Sequence, residues 1–145
     1  MLRRWSGQAR AVSMSRILVV DDDQVVRDVV SDALIDAGYA VAQARDGFDA
    51  LDQLREHPPD AILLDLMMPV MDGWMFLEAL QDDSEWGAIP IGIMSAAPTA
   101  RRTAQTWGVQ VIGKPFVLDE LLDGVEHMLT ESVNGNTSAN GRSQE

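Results

Sequence analysis

The 145-residue sequence contains no cysteine, which removes both a disulfide framework and any thiolate metal site. That suits a reducing cytoplasm without requiring one. Basic residues are scarce as well: 11 Lys and Arg stand against 23 Asp and Glu, a formal charge of −12. A field of that sign repels nucleic acid and anionic membrane, so DNA binding through a basic face is not expected. Basic partners and divalent cations are favoured instead. No apolar run is long enough to span a membrane, and the first 13 residues, MLRRWSGQARAVS, lack the apolar stretch of a signal peptide.

What remains is enough for one domain with a single core, its 46% hydrophobic content being usual for a globular chain. Residues 1–14 read as an extension, 15–131 as the folded domain, and 132–145 as a disordered polar tail rich in Asn, Gly, Ser and Thr. Met14 stands just before the first strand pattern and offers a second translation start. Neither end is expected to hold a second folded domain.

Short apolar runs alternate with helical patterns five times. The runs are Ile17–Val20, Tyr39–Ala42, Ala61–Leu64, Ile91–Met94 and Val109–Ile112. Four are nearly continuous in apolar character, as parallel strands buried on both faces should be. Val26, Val29, Val30, Ala33, Leu34 and Ala37 recur at helical spacing, and Gly38 follows as a stop. Leu118, Leu121, Leu122, Val125, Met128 and Leu129 repeat the pattern near the end. Alternation of this kind implies right-handed crossovers and a parallel sheet covered on both faces. Five units are too few for a closed eight-stranded barrel, so an open doubly wound sheet is predicted, and its ligands should bind beyond the carboxyl ends of the strands.

Those strand ends carry the polar chemistry. Asp21, Asp22 and Asp23 follow the first run, Asp65 the third, Ser95 the fourth, and Lys114 with Pro115 the fifth. Adjacent strands lie about 4.8 Å apart, so if the first and third are neighbours their carboxylates converge on one small volume. Packed carboxylates repel one another, and a hard divalent cation with oxygen ligands relieves that repulsion. Mg²⁺ suits best, because it takes one or two carboxylates plus waters and phosphate oxygens. Asp23 is assigned chiefly to capping the following helix.

Four segments now carry a resemblance: ILVVDDD from Ile17, LLDLMMPVMDG from Leu63, Met94-Ser95-Ala96 and Lys114-Pro115-Phe116. In this order and spacing they resemble the receiver domains of two-component response regulators, over about Arg16 to Leu129. The resemblance implies a (βα)5 flavodoxin-like fold with strand order 2-1-3-4-5. It makes Asp65 the phospho-acceptor, Asp22 a direct Mg²⁺ ligand and Asp21 a ligand through water. The backbone carbonyl of Met67 completes the metal set. Ser95 and Lys114 hold the phosphoryl group, and Ala96 leaves space for the donor. The implied donor is a phosphohistidine on a sensor histidine kinase or phosphotransfer protein. The implied product is a phosphoprotein that signals through the Pro98–Met128 face, as a monomer or weak dimer in the cytoplasm. Such a chain is a phospho-acceptor rather than an enzyme in the ordinary sense.

One position departs from the family. Three residues before the lysine, receivers carry an aromatic ring or His that turns inward on activation; here that residue is Val111. Two other readings compete. Asp21-Asp22-Asp23-Gln24-Val25 also fits the opening motif of a haloacid-dehalogenase-like Mg²⁺-dependent phosphatase, with Asp21 as nucleophile and Asp23 as acid/base. That reading lacks a later acidic metal motif and leaves the segment after Asp65 unexplained. The other is a pseudo-receiver that binds proteins without phosphorylation, favoured only by Val111.

Overall fold

The structure is a computed structural model and describes residues 15–65, 73–83, 85–95, 110–113 and 117–142; at 73, 74, 95, 110, 113 and 131–142 it describes backbone alone. Five strands form one parallel sheet: β1 (Arg16–Val20), β2 (Ala40–Ala44), β3 (Ala61–Asp65), β4 (Ile91–Ser95) and β5 (Gln110–Gly113). Their order is β2-β1-β3-β4-β5, which makes β1 and β3 neighbours, as the sequence implied. Four helices accompany them among the described residues: α1 (Gln24–Asp36), α2 (Gly47–Glu56), α3 (Gly73–Asp82) and α4 (Leu118–Arg142).

The near-continuous apolar runs are explained by burial on both faces. Alternate residues of a strand point to opposite sides, and here both sides are covered. Leu18, Val20, Ile62 and Leu64 pack beneath α2 and α3 with Leu54, Phe76, Leu77 and Leu80. Ile17, Val19, Ala61 and Leu63 pack on the other face with Val30 and Leu34 of α1 and Leu121, Val125 and Met128 of α4. Each fully buried Leu or Ile contributes roughly 1.5–3 kcal/mol, so the two clusters fix the register of every strand. A one-residue slip would exchange the faces.

Strand ends shift by one or two residues from the apolar runs, and two differences have a clear physical cause. Tyr39, placed at the start of the second strand by its hydrophobicity, belongs instead to the end of α1. Its N–H donates to the Leu34 carbonyl (3.0 Å) and the Gly38 N–H to that of Ile35 (2.9 Å), with Gly38 at φ 102°. This is a Schellman cap, and its left-handed residue is glycine because a Cβ is disfavoured there. Tyr39 then packs against the α1–α4 cluster. Burial, and next the charge of Glu126, push its phenol above its ordinary value. The second difference is α4, which runs to Arg142, beyond the predicted domain boundary at residue 131. Nothing in that polar stretch is a proline, and each residue added to a nucleated helix gains a backbone hydrogen bond. Residues 1–14 lie outside the described residues. Among those described, no helix is long and apolar enough to cross a membrane.

Replacing Gly38 by Ala should cost about 1–2 kcal/mol, the penalty of a Cβ in the left-handed region. Urea denaturation followed by circular dichroism should show a lower midpoint at unchanged slope.

Candidate functional site

The register places the polar residues together. Val20 of β1 lies opposite Leu64 of β3, so the next step sets Asp21 beside Asp65. Asp65 is itself the last residue of β3, level with Met94. Ser95 ends β4 one step further on, opposite Gly113 of β5. The carboxyl end of the sheet therefore collects Asp21, Asp65 and the backbone of Ser95, and Lys114 follows directly after β5 in the chain.

Asp21, Asp22 and Asp65 each bring one carboxylate oxygen to within 4.8 Å of the others. Asp21 is fully buried, Asp65 is 6% exposed and Asp22 is open to solvent. Such a cluster has hard oxygen donors at its base and an open side, the form a divalent cation needs to enter. Lys114, Ala96 and Met67 lie outside the described residues, as do the side chain of Ser95 and residues 98–109 of the Pro98–Met128 face.

The turn carrying the acidic pair is held at several points. The Asp21 N–H donates to the Ala44 carbonyl of β2 (3.2 Å), extending the sheet by one bond. One Asp21 carboxylate oxygen, Oδ1, accepts the Asp23 N–H at 2.9 Å, tightening the turn. Asp23 faces the other way: its Oδ1 accepts from the N–H groups of Val25 (2.9 Å) and Val26 (3.5 Å) as the cap of α1. That arrangement satisfies orphan donors and sets a negative charge at the positive end of the helix. It occupies the carboxylate that a dehalogenase-like reading would need as acid/base.

Sequence reasoning missed a second set of polar residues behind this turn. Arg27 Nη1 donates to the Asp21 carbonyl oxygen at 2.6 Å, and its Nε donates to Oε1 of Gln43 at 3.2 Å. The Gln43 amide nitrogen donates to Ser31 Oγ (2.9 Å) and to Asp28 Oδ1 (3.3 Å). Ser31 is only 3% exposed. Two signals existed in the sequence: Arg27 is the sole basic residue of α1, and Gln43 is the sole polar residue of β2. Neither reveals its partner, because the pair is separated by 16 positions.

Val111 is half-buried and packs against the cluster beneath α2 and α3. His57 and His127 are both exposed.

Comparison with known proteins agrees with this geometry. Residues 17–126 match the family model described as the response regulator receiver domain. The response regulator MprA of Mycobacterium tuberculosis is 38% identical over 117 residues, which is 79% of this chain and 50% of that protein. MprA from a Mycobacterium species matches to the same extent, so the chain spans about half the length of these curated relatives. Among solved structures, the chemotaxis protein CheY4 of Vibrio cholerae superposes with a TM-score of 0.74 at 34% identity, covering 80% of this chain and 99% of that one. The N-terminal domain of a response regulator receiver protein from Methanoculleus marisnigri gives 0.64 at 35% identity, covering 79% and 96%.

The divided roles of the aspartate triplet can be separated by substitution. Asp23→Ala should destabilise the fold by about 1 kcal/mol, the usual loss for an N-cap, seen as a lower thermal midpoint. Binding of Mg²⁺ measured on the folded protein should stay within twofold of wild type.

Proposed function

The chain belongs to the response regulator receiver domain family, and from that premise we propose that it accepts a phosphoryl group on Asp65, with Mg²⁺ held by the acidic cluster. Receivers are phospho-acceptor modules of two-component signalling rather than conventional enzymes. The observation that carries the reading is the convergence of Asp21, Asp22 and Asp65 at the carboxyl end of the sheet. Three carboxylates offer hard anionic oxygens without sulfur or imidazole, a donor set that fits Mg²⁺. Asp22, Asp65 and the Met67 carbonyl are the direct ligands in this reading, and Asp21 acts through water. When bound, the ion supplies positive charge to the phosphoryl oxygens and screens the carboxylates from one another.

The chain's own residues do the rest. A carboxylate oxygen of Asp65 attacks the phosphorus of a phosphohistidine in line, and the phosphorus–nitrogen bond breaks as the donor imidazole leaves with its electron pair. The product is an acyl phosphate, and its hydrolysis restores the carboxylate. The ammonium group of Lys114 and the hydroxyl of Ser95 hold the phosphoryl oxygens, and Ala96 keeps the approach open. Burial of Asp65 at the base of the cluster favours this role, since a nucleophile held by packed β3 needs little reorganisation to meet the donor. The donor is a sensor histidine kinase or phosphotransfer protein, met in the cytoplasm. Phosphorylation-dependent binding of another protein through the Pro98–Met128 face is the proposed output.

Intact-mass spectrometry after incubation with acetyl phosphate and Mg²⁺ tests the reading. Wild type should gain one phosphoryl group, Asp65→Asn none, and Asp22→Asn at least tenfold less at equal time, the order of loss expected when a metal site is disabled. An adduct retained by Asp65→Asn overturns the assignment. A wild type that takes up no phosphoryl group favours a binding module instead.

A further inference from the structure

We infer that Arg27, braced by Gln43, is a positioning residue that sets the cation affinity of the acidic cluster without touching the cation. The inference rests on reading Asp21, Asp22 and Asp65 as a cation site. Its physical basis is the peptide plane between Asp21 and Asp22. The Asp21 carbonyl and the Asp22 N–H belong to one rigid planar unit, so a donor that holds the carbonyl oxygen also aims the bond that leads to the Asp22 Cα. Arg27 Nη1 holds that oxygen at 2.6 Å, and the bond is charge-assisted.

The guanidinium is in turn fixed. Its Nε donates to Gln43 Oε1, and the Gln43 amide nitrogen is tied to Ser31 and Asp28 on α1. The amide can face only one way, because a guanidinium donates and never accepts. Gln43 itself sits in β2 opposite Val19, within the sheet that supports the turn. The brace thus links helix, edge strand and turn, and it works against a definite force. Three carboxylates held within 4.8 Å repel, and exposed Asp22 is the one free to swing outward. Fixing its backbone beforehand means that less ordering is left for the binding step.

A rival explanation makes the opposite prediction. If Arg27 matters here only as a nearby positive charge, removing it should tighten cation binding, because one repulsive charge is gone. If it is a brace, removing it should weaken binding. Mn²⁺ serves as a paramagnetic probe, its free concentration read by electron paramagnetic resonance during titration of the full chain. Arg27→Met should bind Mn²⁺ about tenfold more weakly, the lower end of the loss seen when groups that orient metal ligands are removed. Arg27→Lys keeps the charge and one donor but loses the fork, and should lie between Arg27→Met and wild type. Gln43→Leu should weaken binding about threefold, with Arg27 present but unbraced.

Thermal midpoints of the metal-free variants, measured alongside, identify those that are folded at the titration temperature. Should Arg27→Met fail to fold, Arg27→Lys and Gln43→Leu carry the test. Unchanged or tighter binding in the folded variants overturns the inference while leaving the cation site intact. A wild type that binds no Mn²⁺, or an Asp22→Asn variant that binds as well as wild type, overturns the cation-site reading and the inference with it.

Discussion

The crowding of three carboxylates at one end of the sheet is the constraint on which the other features depend. It arises from topology: a parallel sheet sends every strand out at the same end, and the order β2-β1-β3-β4-β5 puts β1 against β3. With strands about 4.8 Å apart, acidic residues at those two ends cannot avoid each other. The fold must therefore supply opposing forces. Part comes from packing, since Val20 and Leu64 directly below are fully buried and cannot retreat. Part comes from donors around the turn, including the Asp23 N–H on Asp21 and the guanidinium of Arg27.

These opposing forces divide the aspartate triplet by geometry. Asp21 is fully buried and has its backbone N–H paired with β2. Asp23 turns toward α1 and caps it. Asp22, between them, stays exposed and joins Asp65 in the cluster. One residue type at three consecutive positions thus does three different things, decided by which way the turn directs each side chain. The same helix that Asp23 caps sends Val30 and Leu34 into the core and Arg27 back to the turn. Its placement and that of the acidic pair are consequently not independent.

Much of this is legible in the residues alone. Apolar runs locate all five strands to within about two residues, because both faces of the sheet are buried and leave an unbroken hydrophobic signal. The acidic cluster is legible too, since strand ends in an open parallel sheet are where ligands bind. The start of β2 is not, because Tyr39 is apolar enough to read as strand while its backbone closes the Schellman cap of α1. The bracing of Arg27 by Gln43 is invisible for a different reason. A hydrogen bond between residues 16 apart needs the β1–β2 pairing to exist before either residue has a partner. The extension of α4 past residue 131 is obscured by composition, which marks a stretch as polar without saying whether its backbone is helical.

Val111 bears on how occupancy of the site is passed to the rest of the fold. It lies opposite Ile93 in the β4–β5 pairing and packs against the cluster beneath α2 and α3. A β-branched side chain has one stiff torsion and little freedom once packed. It cannot swing between a buried and an exposed position as an aromatic ring on that strand could. A ligand shifts an equilibrium only through different interactions with the two states, so a two-state element centred on residue 111 has little to offer here. Under the proposed function, the difference between phosphorylated and unphosphorylated forms has to arise closer to the source. In that proposal the groups that would meet the phosphoryl oxygens are Ser95, the last residue of β4, and Lys114, the residue that follows β5 in the chain, so the response to a change of charge on Asp65 would begin with them rather than with Val111.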